Sequence, residues 1–146
     1  MKYKVIVIGQ LKRGFLRDGC DFYKKRLSNY SKIEEIELKE SSEKERESET
    51  LLKKAGTYVI ALDERGEQFT SKAFANYITQ LENKSISEVS LLIGGADGHS
   101  DALKSRANKL ISLSKATLPH ELARMMLFEQ LYRIESIRAG HPYHRK

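Results

Sequence analysis

A strand-like run that ends in a glycine-rich turn is the stretch best suited to bind a small molecule. Residues 89–93 are Val-Ser-Leu-Leu-Ile, and Gly-Gly-Ala-Asp-Gly follows at 94–98. Glycines after a buried strand expose backbone N–H groups and let a ligand lie against the main chain. Ser100 then fits the N-cap of a helix that begins at Asp101. A tight turn with no ligand is the alternative, because two glycines after a strand are a weak signal.

Familiar catalytic motifs are missing from the sequence. The turn has neither the Gly-x-Gly-x-x-Gly spacing of a dinucleotide-binding fold nor the Lys-Ser/Thr of a P-loop. Cys20 is the sole cysteine, and His141-x-x-His144 has no cysteine pair beside it. We therefore expect no disulfide and no metal site. No Ser or Cys lies in a nucleophile elbow either, so covalent catalysis is not indicated.

Basic residues are concentrated in the last third of the chain. Residues 104–146 contain nine Lys/Arg and three Asp/Glu, whereas the rest of the chain has seventeen of each sign. The net charge of +6 thus comes entirely from the C-terminal part. This asymmetry indicates a surface that faces a polyanion. An ordinary basic surface without a partner agrees equally well with the charge alone.

Strands and helices alternate along the chain. Apolar periodicity predicts strands over 2–9, 32–38, 57–63, 89–93 and 110–114, and helices over 15–27, from 70 or 71 to about 81, 101–108 and 121–139. This alternation predicts an α/β fold with a mostly parallel sheet flanked by helices. Ligands bind beyond the carboxyl ends of such strands. We therefore expect the strand ends at 62–63, 94–95 and 114 to matter.

One segment looks purely structural. Residues 39–54 are almost entirely Lys, Glu, Ser and Arg, and they predict a solvated helix or a mobile loop leading into one. Ser42 and Glu45 fit a capping box, and only Leu51, Leu52 and Ala55 look available for packing. We expect no chemistry from this segment.

Size and hydropathy limit the class of protein. With 146 residues, 40% hydrophobic and 32% charged, we expect one domain over 1–146. No apolar run approaches membrane-spanning length, and the N-terminal one is too short for a signal peptide, so we expect a cytoplasmic protein without membrane contact. The last helix is apolar on most faces, which predicts a homodimer interface or, alternatively, a central core helix.

Several motifs, taken together, resemble one known family. They are Leu-Leu-Ile-Gly-Gly-Ala-Asp-Gly at 91–98, Ser-Leu-Ser-Lys-Ala-Thr-Leu-Pro-His at 112–120, Glu-Gln-Leu-Tyr-Arg at 129–133 and His-Pro-Tyr-His-Arg-Lys at 141–146. In this order they resemble the RlmH family of ribosomal RNA methyltransferases, of the SPOUT class. The resemblance runs along the whole chain, including the first strand and residues 61–63.

The resemblance implies an S-adenosylmethionine-dependent enzyme that methylates N3 of a pseudouridine in the 23S RNA of the large ribosomal subunit. It also implies a homodimer with the SPOUT (alpha/beta knot) fold, whose C-terminal segment forms a trefoil knot, a rare exception among chain topologies. The cofactor would lie at the knot. Carried over to matching positions, the cofactor-binding residues are Leu62, Gly95, Ser114, Lys115, Ala116, Thr117, Leu118 and Pro119. Because Gly95 has no Cβ, we expect Gly95→Val to abolish cofactor binding.

The same resemblance gives a catalytic role to the C-terminal tail, residues 141–146, and to Arg133. N3 of a uracil-type ring must lose its proton before it attacks, which requires a general base or a cation that stabilises the anion. His144 is the candidate base, and Arg133, Tyr143 and Arg145 are candidates for orienting the target base. The tail would act in its own chain or complete the partner's site. The alternative is a frayed chain end with an exposed histidine.

Four basic residues of the C-terminal part are candidates for RNA contacts, and two other classes of function are alternatives. Arg106, Lys109, Arg124 and Arg138 are candidates for holding RNA phosphates. The rivals are a non-catalytic ribosome-binding module, which intact cofactor motifs disfavour, and a nucleotide-dependent oxidoreductase, which the missing fingerprint disfavours.

Overall fold

The computed structural model describes residues 1–143, and strands and helices alternate along nearly all of them. The strands are β1 (Lys2–Ile8), β2 (Lys32–Leu38), β3 (Val59–Gln68), β4 (Glu88–Ile93) and β5 (Lys109–Ser112). The helices are α1 (Phe15–Leu27), α2 (Lys44–Lys54), α3 (Ser71–Asn83), α4 (Asp101–Arg106) and α5 (His120–Arg138). None of these helices is long and apolar enough to cross a membrane. The predicted α/β alternation is confirmed.

The five strands form one sheet in the order β2-β1-β4-β3-β5, and every neighbouring pair is parallel. The carboxyl ends of β4, β3 and β5 therefore lie side by side, where the sequence predicts a ligand to bind. Alternate residues of β4 point to opposite faces, with Leu91 in one apolar cluster and Leu92 in the other. Burial on both faces explains why the strand is a continuous apolar run. The trefoil knot stays a prediction.

Helices cover both faces of the sheet. Side chains of α1, α3 and α5 fill the larger apolar cluster, which contains Ile78 and Phe128. Side chains of α2 and α4 fill the smaller one through Leu51 and Leu103. The predicted N-caps of α3 and α4 are confirmed, because Thr70 and Ser100 each accept a backbone N–H bond at the start of their helix.

The third strand is longer than the sequence predicted. The sequence predicts a strand that ends at Asp63, because Glu64-Arg65-Gly66 is typical of a turn, but β3 continues to Gln68 past an irregularity between Leu62 and Glu67. A Cβ at Gly66 would lie 2.6 Å from the carbonyl carbon of Leu110, so glycine lets the backbone of β5 approach closely. Gly66 therefore allows β3 and β5 to pair across a bulge, and it does not form a turn.

The charged segment before β3 also differs from the prediction. It forms α2, but its N-cap is Glu43, which makes no side-chain cap bond, so the capping box at Ser42 is wrong. Besides Leu51, α2 buries Glu47 and Ser48. Polar side chains that are buried require a partner, and these two accept the backbone N–H groups of Ser41 and Ser100.

Candidate cofactor-binding site

A cavity of about 510 Å³ lies at the carboxyl ends of β3, β4 and β5. This volume is typical of a small-molecule site, and the position is where ligands bind in parallel sheets. Its lining includes six of the eight predicted cofactor-binding residues, namely Leu62, Gly95, Ser114, Ala116, Thr117 and Leu118. Lys115 and Pro119 do not line it. The structure thus brings three separate stretches of sequence together around one space.

The glycine-rich turn forms one wall of the cavity and is shaped by its own hydrogen bond. The N–H of Gly98 donates to the carbonyl of Gly95 at 3.1 Å. Gly98 has φ +76, a left-handed conformation that glycine adopts without strain. A Cβ at Gly94 would lie 3.0 Å from the carbonyl oxygen of Gly98. Both glycines are therefore required by the turn itself.

The third glycine, Gly95, faces α2. A Cβ at this position would lie 2.9 Å from Oε1 of Glu47, which is too close for an ordinary contact. Glu47 is 6% exposed, and its Oε2 accepts the N–H of Ser41 at 2.9 Å. The sequence predicted that Gly95 leaves space for a cofactor, whereas its missing Cβ leaves space for this carboxylate.

A second contact from α2 supports the end of the turn. The N–H of Ser100 donates to Oγ of Ser48 at 2.9 Å, and the hydroxyl of Ser100 in turn caps α4 by accepting the N–H of Leu103 at 3.1 Å. The expectation that residues 39–54 pack only through apolar side chains is wrong. The spacing of Glu47 and Leu51, four residues apart on one helical face, was the available signal.

The cavity contains a charged pair that was not among the predicted site residues. Nζ of Lys104 lies 3.1 Å from Oδ2 of Asp63, and the N–H of Arg65 donates to Oδ1 at 2.8 Å. Burial by itself would raise the pKa of Asp63, but these two donors outweigh it, so the pKa is lowered. Asp63 is therefore a carboxylate at neutral pH, and it lies in the irregular part of β3 that follows Leu62.

His99 is the second residue that sequence analysis did not assign to the site. Its ring is 4% exposed, Nε2 lies 3.3 Å from the carbonyl of Leu92, and buried Nδ1 has no partner among the described residues. Burial lowers the pKa of His99 despite the carbonyl and the nearby Asp63 charge, so the ring is neutral at neutral pH. A lone histidine after a glycine turn gave no sequence signal for this.

The loop between β5 and α5 forms the opposite wall. The hydroxyl of Thr117 donates to Oε2 of Glu64 at 2.9 Å, which ties the loop to the irregular part of β3. Oγ of Ser114 accepts the N–H of Ala116 at 3.0 Å, and the carbonyl of Ser114 accepts the hydroxyl of Ser112 at 2.8 Å. Local bonds thus preset the loop's shape.

The described part of the predicted catalytic tail forms a separate cluster. Arg133 Nη2 lies 2.7 Å from Oε2 of Glu129, to which the hydroxyl of Tyr143 donates at 3.0 Å. The guanidinium carbon of Arg133 lies 4.9 Å from the centre of the Tyr143 ring. Burial, reinforced by Glu129, raises the pKa of Tyr143 to about 12, so its hydroxyl is a donor at neutral pH. His144 and Arg145 lie outside the described residues.

This cluster is distant from the cavity of the same chain. Ala123 on α5 lines the cavity, and Arg133 follows ten residues later on the same helix. At about 1.5 Å per residue, that separation is roughly 15 Å along the helix axis. The structure therefore brings Arg133 and Tyr143 together, but it does not bring them to the predicted cofactor residues.

Three of the four predicted phosphate contacts are occupied by carboxylates. Arg124 is 4% exposed and lies 2.7 Å from Glu35 and 2.5 Å from Glu37. Lys109 pairs with Glu67, and Arg138 pairs with Glu82 and Glu135. Among these candidates, Arg106 alone is exposed without an ion pair in residues 1–143. Residues 1–143 also contain no group of three His, Cys, Asp or Glu placed to hold a metal ion.

Comparisons with known proteins agree with this geometry. The family profile described as a predicted SPOUT methyltransferase matches residues 1–144. Two curated relatives, both called ribosomal RNA large subunit methyltransferase H, are 42% identical to this chain. The one from Caldicellulosiruptor saccharolyticus aligns over 97% of this chain and 99% of its own. The one from Deinococcus radiodurans aligns over 99% of each.

Solved structures share the fold at low sequence identity. A probable methylase family protein from Haemophilus influenzae matches with a TM-score of 0.58 and 8% identity, covering 99% of this chain and 70% of that one. A probable methyltransferase from Bordetella pertussis matches with a TM-score of 0.56 and 10% identity, covering 92% and 96%. Together with the full-length relatives, the family match shows that this chain belongs to the SPOUT methyltransferase family.

Proposed function

We propose that this protein transfers a methyl group from S-adenosylmethionine to N3 of a pseudouridine in large-subunit ribosomal RNA. The observation that carries the proposal is the cavity at the carboxyl ends of β3, β4 and β5, which gathers six predicted cofactor-binding residues from three stretches of sequence. The name shared by the curated relatives supports the substrate class. We also propose the cytoplasm as the location, since large subunits are made there.

The cavity has the chemistry that this cofactor requires. Leu62, Leu113 and Leu118 supply apolar surface for the adenine ring, and the glycine turn offers main-chain groups along its edge. The Asp63 carboxylate favours the positive charges of the cofactor, while Lys104 keeps that carboxylate in place. When bound, S-adenosylmethionine supplies an electrophilic methyl carbon on a sulfonium. The chain's own role is to fix and orient the bound molecule.

The tail residues act on the target base in this proposal. With its pKa near 12, Tyr143 keeps its proton and donates a hydrogen bond instead of acting as a base. Arg133 stays charged, since Glu129 raises its pKa in spite of burial, and a cation beside a ring carbonyl stabilises the anion left when N3 loses its proton. His144 remains the proposed acceptor of that proton, and Arg145, the next residue in the sequence, remains a candidate for orienting the target base.

We propose that two copies pair through α1 and α5. Phe15 and Phe22 are 78% and 50% exposed, and with Gly19 between them they follow i, i+4, i+7 spacing along one face of α1. A Cβ at Gly19 would overlap the side chain of Met125 on α5, because that side chain packs directly against the glycine. The two helices therefore form one continuous surface. Exposed aromatic side chains in a row are typical of a protein interface. A two-fold pairing also offers a route for the tail of one copy to reach the other's cavity.

Mixed dimers test whether sites are shared. Gly95→Val damages the cavity and Arg133→Ala damages the tail cluster, so each homodimer should be inactive. In a mixed dimer with shared sites, one site keeps both an intact cavity and an intact tail, and about one active site in two should be recovered. Mixed dimers as inactive as the parents would show that the tail does not act across the dimer.

Labelled methyl transfer tests the reaction itself. Large ribosomal subunits that lack the modification and free ribosomal RNA are incubated in parallel with tritium-labelled S-adenosylmethionine and the protein. We expect incorporation into RNA that depends on the protein and falls in Gly95→Val. A non-catalytic binding module would bind subunits without incorporation, and an oxidoreductase would do neither.

A further inference from the structure

A second cleft lies across the first turns of α5 from the cofactor-binding cavity. It measures about 460 Å³ and is bounded by the loop after β1, by α1 and by β2. Ala123 lines the cavity, and the next residue, Arg124, lines the cleft. Consecutive Cα atoms are about 3.8 Å apart, so the width of one helix separates the two spaces. The loop after β1 also leaves the same sheet edge as the glycine turn, because Val7 of β1 pairs with Ile93 of β4.

The charges on the floor of this cleft are paired with one another. Arg124 is held by Glu35 and Glu37, and Lys24 lies 2.5 Å from Glu35 and 3.4 Å from Asp21. Arg124 is buried, Lys24 and Glu35 are half-buried, and each has a partner of opposite charge. The floor therefore gives the protein a fixed shape without attracting a further ion strongly.

The rim of the cleft carries uncompensated positive charge. Lys12, Arg13 and Arg17 line the cleft, and all three are exposed. Across residues 1–143 none of the three forms a salt bridge, in contrast to most cations of the C-terminal third. Long, solvated cations around an open cleft suit a polyanion held by several weak contacts better than a small anion, which needs buried donors.

We infer that Lys12, Arg13 and Arg17 bind backbone phosphates of the single-stranded RNA next to the target nucleotide. The inference rests on the proposed function, because the target base must enter the cofactor-binding cavity while its flanking chain passes over the neighbouring surface. RNA bases that are modified lie in loops whose strand is unpaired and accessible. The rim adds a basic surface outside the C-terminal third, to which the charge count pointed.

A charge-matched pair of variants tests the inference. The test variant is Lys12→Ala/Arg13→Ala/Arg17→Ala. The control is Lys32→Ala/Lys54→Ala/Lys84→Ala, which removes three exposed lysines just before or at the starts of β2, β3 and β4, at the opposite edge of the sheet. Binding of each protein to large subunits lacking the modification is measured against salt concentration. S-adenosylmethionine affinity, oligomeric state and the KM for subunits are measured in parallel.

We expect the test variant to bind subunits at least tenfold more weakly and to raise KM accordingly, with cofactor affinity and oligomeric state unchanged. The slope of log affinity against log salt should fall by about 2, since each single-strand phosphate contact contributes about 0.7. Equal losses in both triple variants, or an unchanged slope, would overturn the inference. A wild-type protein that binds subunits with the expected slope but transfers no methyl group would refute the proposed function and leave the RNA surface standing.

Discussion

The contact between Gly95 and Glu47 gives the sharpest prediction about the cofactor-binding site. In Gly95→Ala the new Cβ would lie 2.9 Å from Oε1 and 3.3 Å from Oε2 of Glu47. Unstrained Cβ atoms keep about 3.4 Å or more from such neighbours, so the carboxylate must move. Moving it weakens the bond that Oε2 accepts from the N–H of Ser41, and complete loss of that bond sets the upper limit of the effect.

The size of the effect follows from that bond. A hydrogen bond to a charged, buried group is worth about 1.5–3 kcal/mol. If this free energy is lost from the conformation of the glycine-rich turn that binds the cofactor, cofactor affinity should fall roughly tenfold to hundredfold, since about 1.4 kcal/mol corresponds to a factor of ten. In a Glu47→Ala background the carboxylate is gone, and adding Gly95→Ala should change the affinity by less than about twofold. The two positions are therefore strongly coupled.

Titration calorimetry with S-adenosylmethionine on the four proteins of this double-mutant cycle measures the coupling. Size-exclusion chromatography and thermal unfolding serve as controls that each variant remains folded and keeps its oligomeric state. An equal loss of affinity from Gly95→Ala in both backgrounds would refute the reasoning. That result would mean that the Cβ obstructs the cofactor directly, as the sequence first suggested.

Other perturbations follow from the charges and pKa shifts. Arg124→Met leaves Glu37 without its cation and Glu35 with Lys24 alone, and it should lower the free energy of unfolding by about 1–3 kcal/mol in urea titrations; a change below about 0.5 kcal/mol would contradict the network. Burial lowers the pKa of His99, so below about pH 6.5 the histidine binds a proton in the unfolded chain but not in the folded chain. The free energy of unfolding should therefore fall as the pH drops below about 6.5. His99→Leu should flatten that fall in urea midpoints, and an identical fall would rule His99 out as its source. Since the pKa of Tyr143 is about 12, Tyr143→Phe should leave the pH dependence of turnover unchanged near neutrality, and a shifted profile would show that Tyr143 titrates there.

Periodicity was enough to predict most of the fold. The bounds of α1 and β2 agree with the prediction, and the caps at Thr70 and Ser100 are where their residue types placed them. These features depend on neighbours in sequence, which is the information that apolar spacing and N-cap preference contain. β3 was cut short because Gly66 suggests a turn, whereas its role is set by β5, more than forty residues away.

The errors at the site have a common physical cause. Glu47 packs against Gly95, and the partners of Arg124 are Glu35 and Glu37. These neighbours lie far along the chain, so no local pattern distinguishes the two side chains from solvated charges. The family resemblance supplied six residues that line the cavity, because those motifs encode the loops themselves. It gave no sign of the supporting contacts from α2, which only the folded chain brings together.

The identity of the methylated nucleoside is the most direct test of the central claim. Large subunits lacking the modification are incubated with the protein and S-adenosylmethionine, and the RNA is digested to nucleosides for mass spectrometry. The claim predicts one new nucleoside, N3-methylated pseudouridine, which is formed by wild-type protein and strongly reduced in Gly95→Val. A methyl group on another base or on a ribose, or no methylated nucleoside at all, would contradict it.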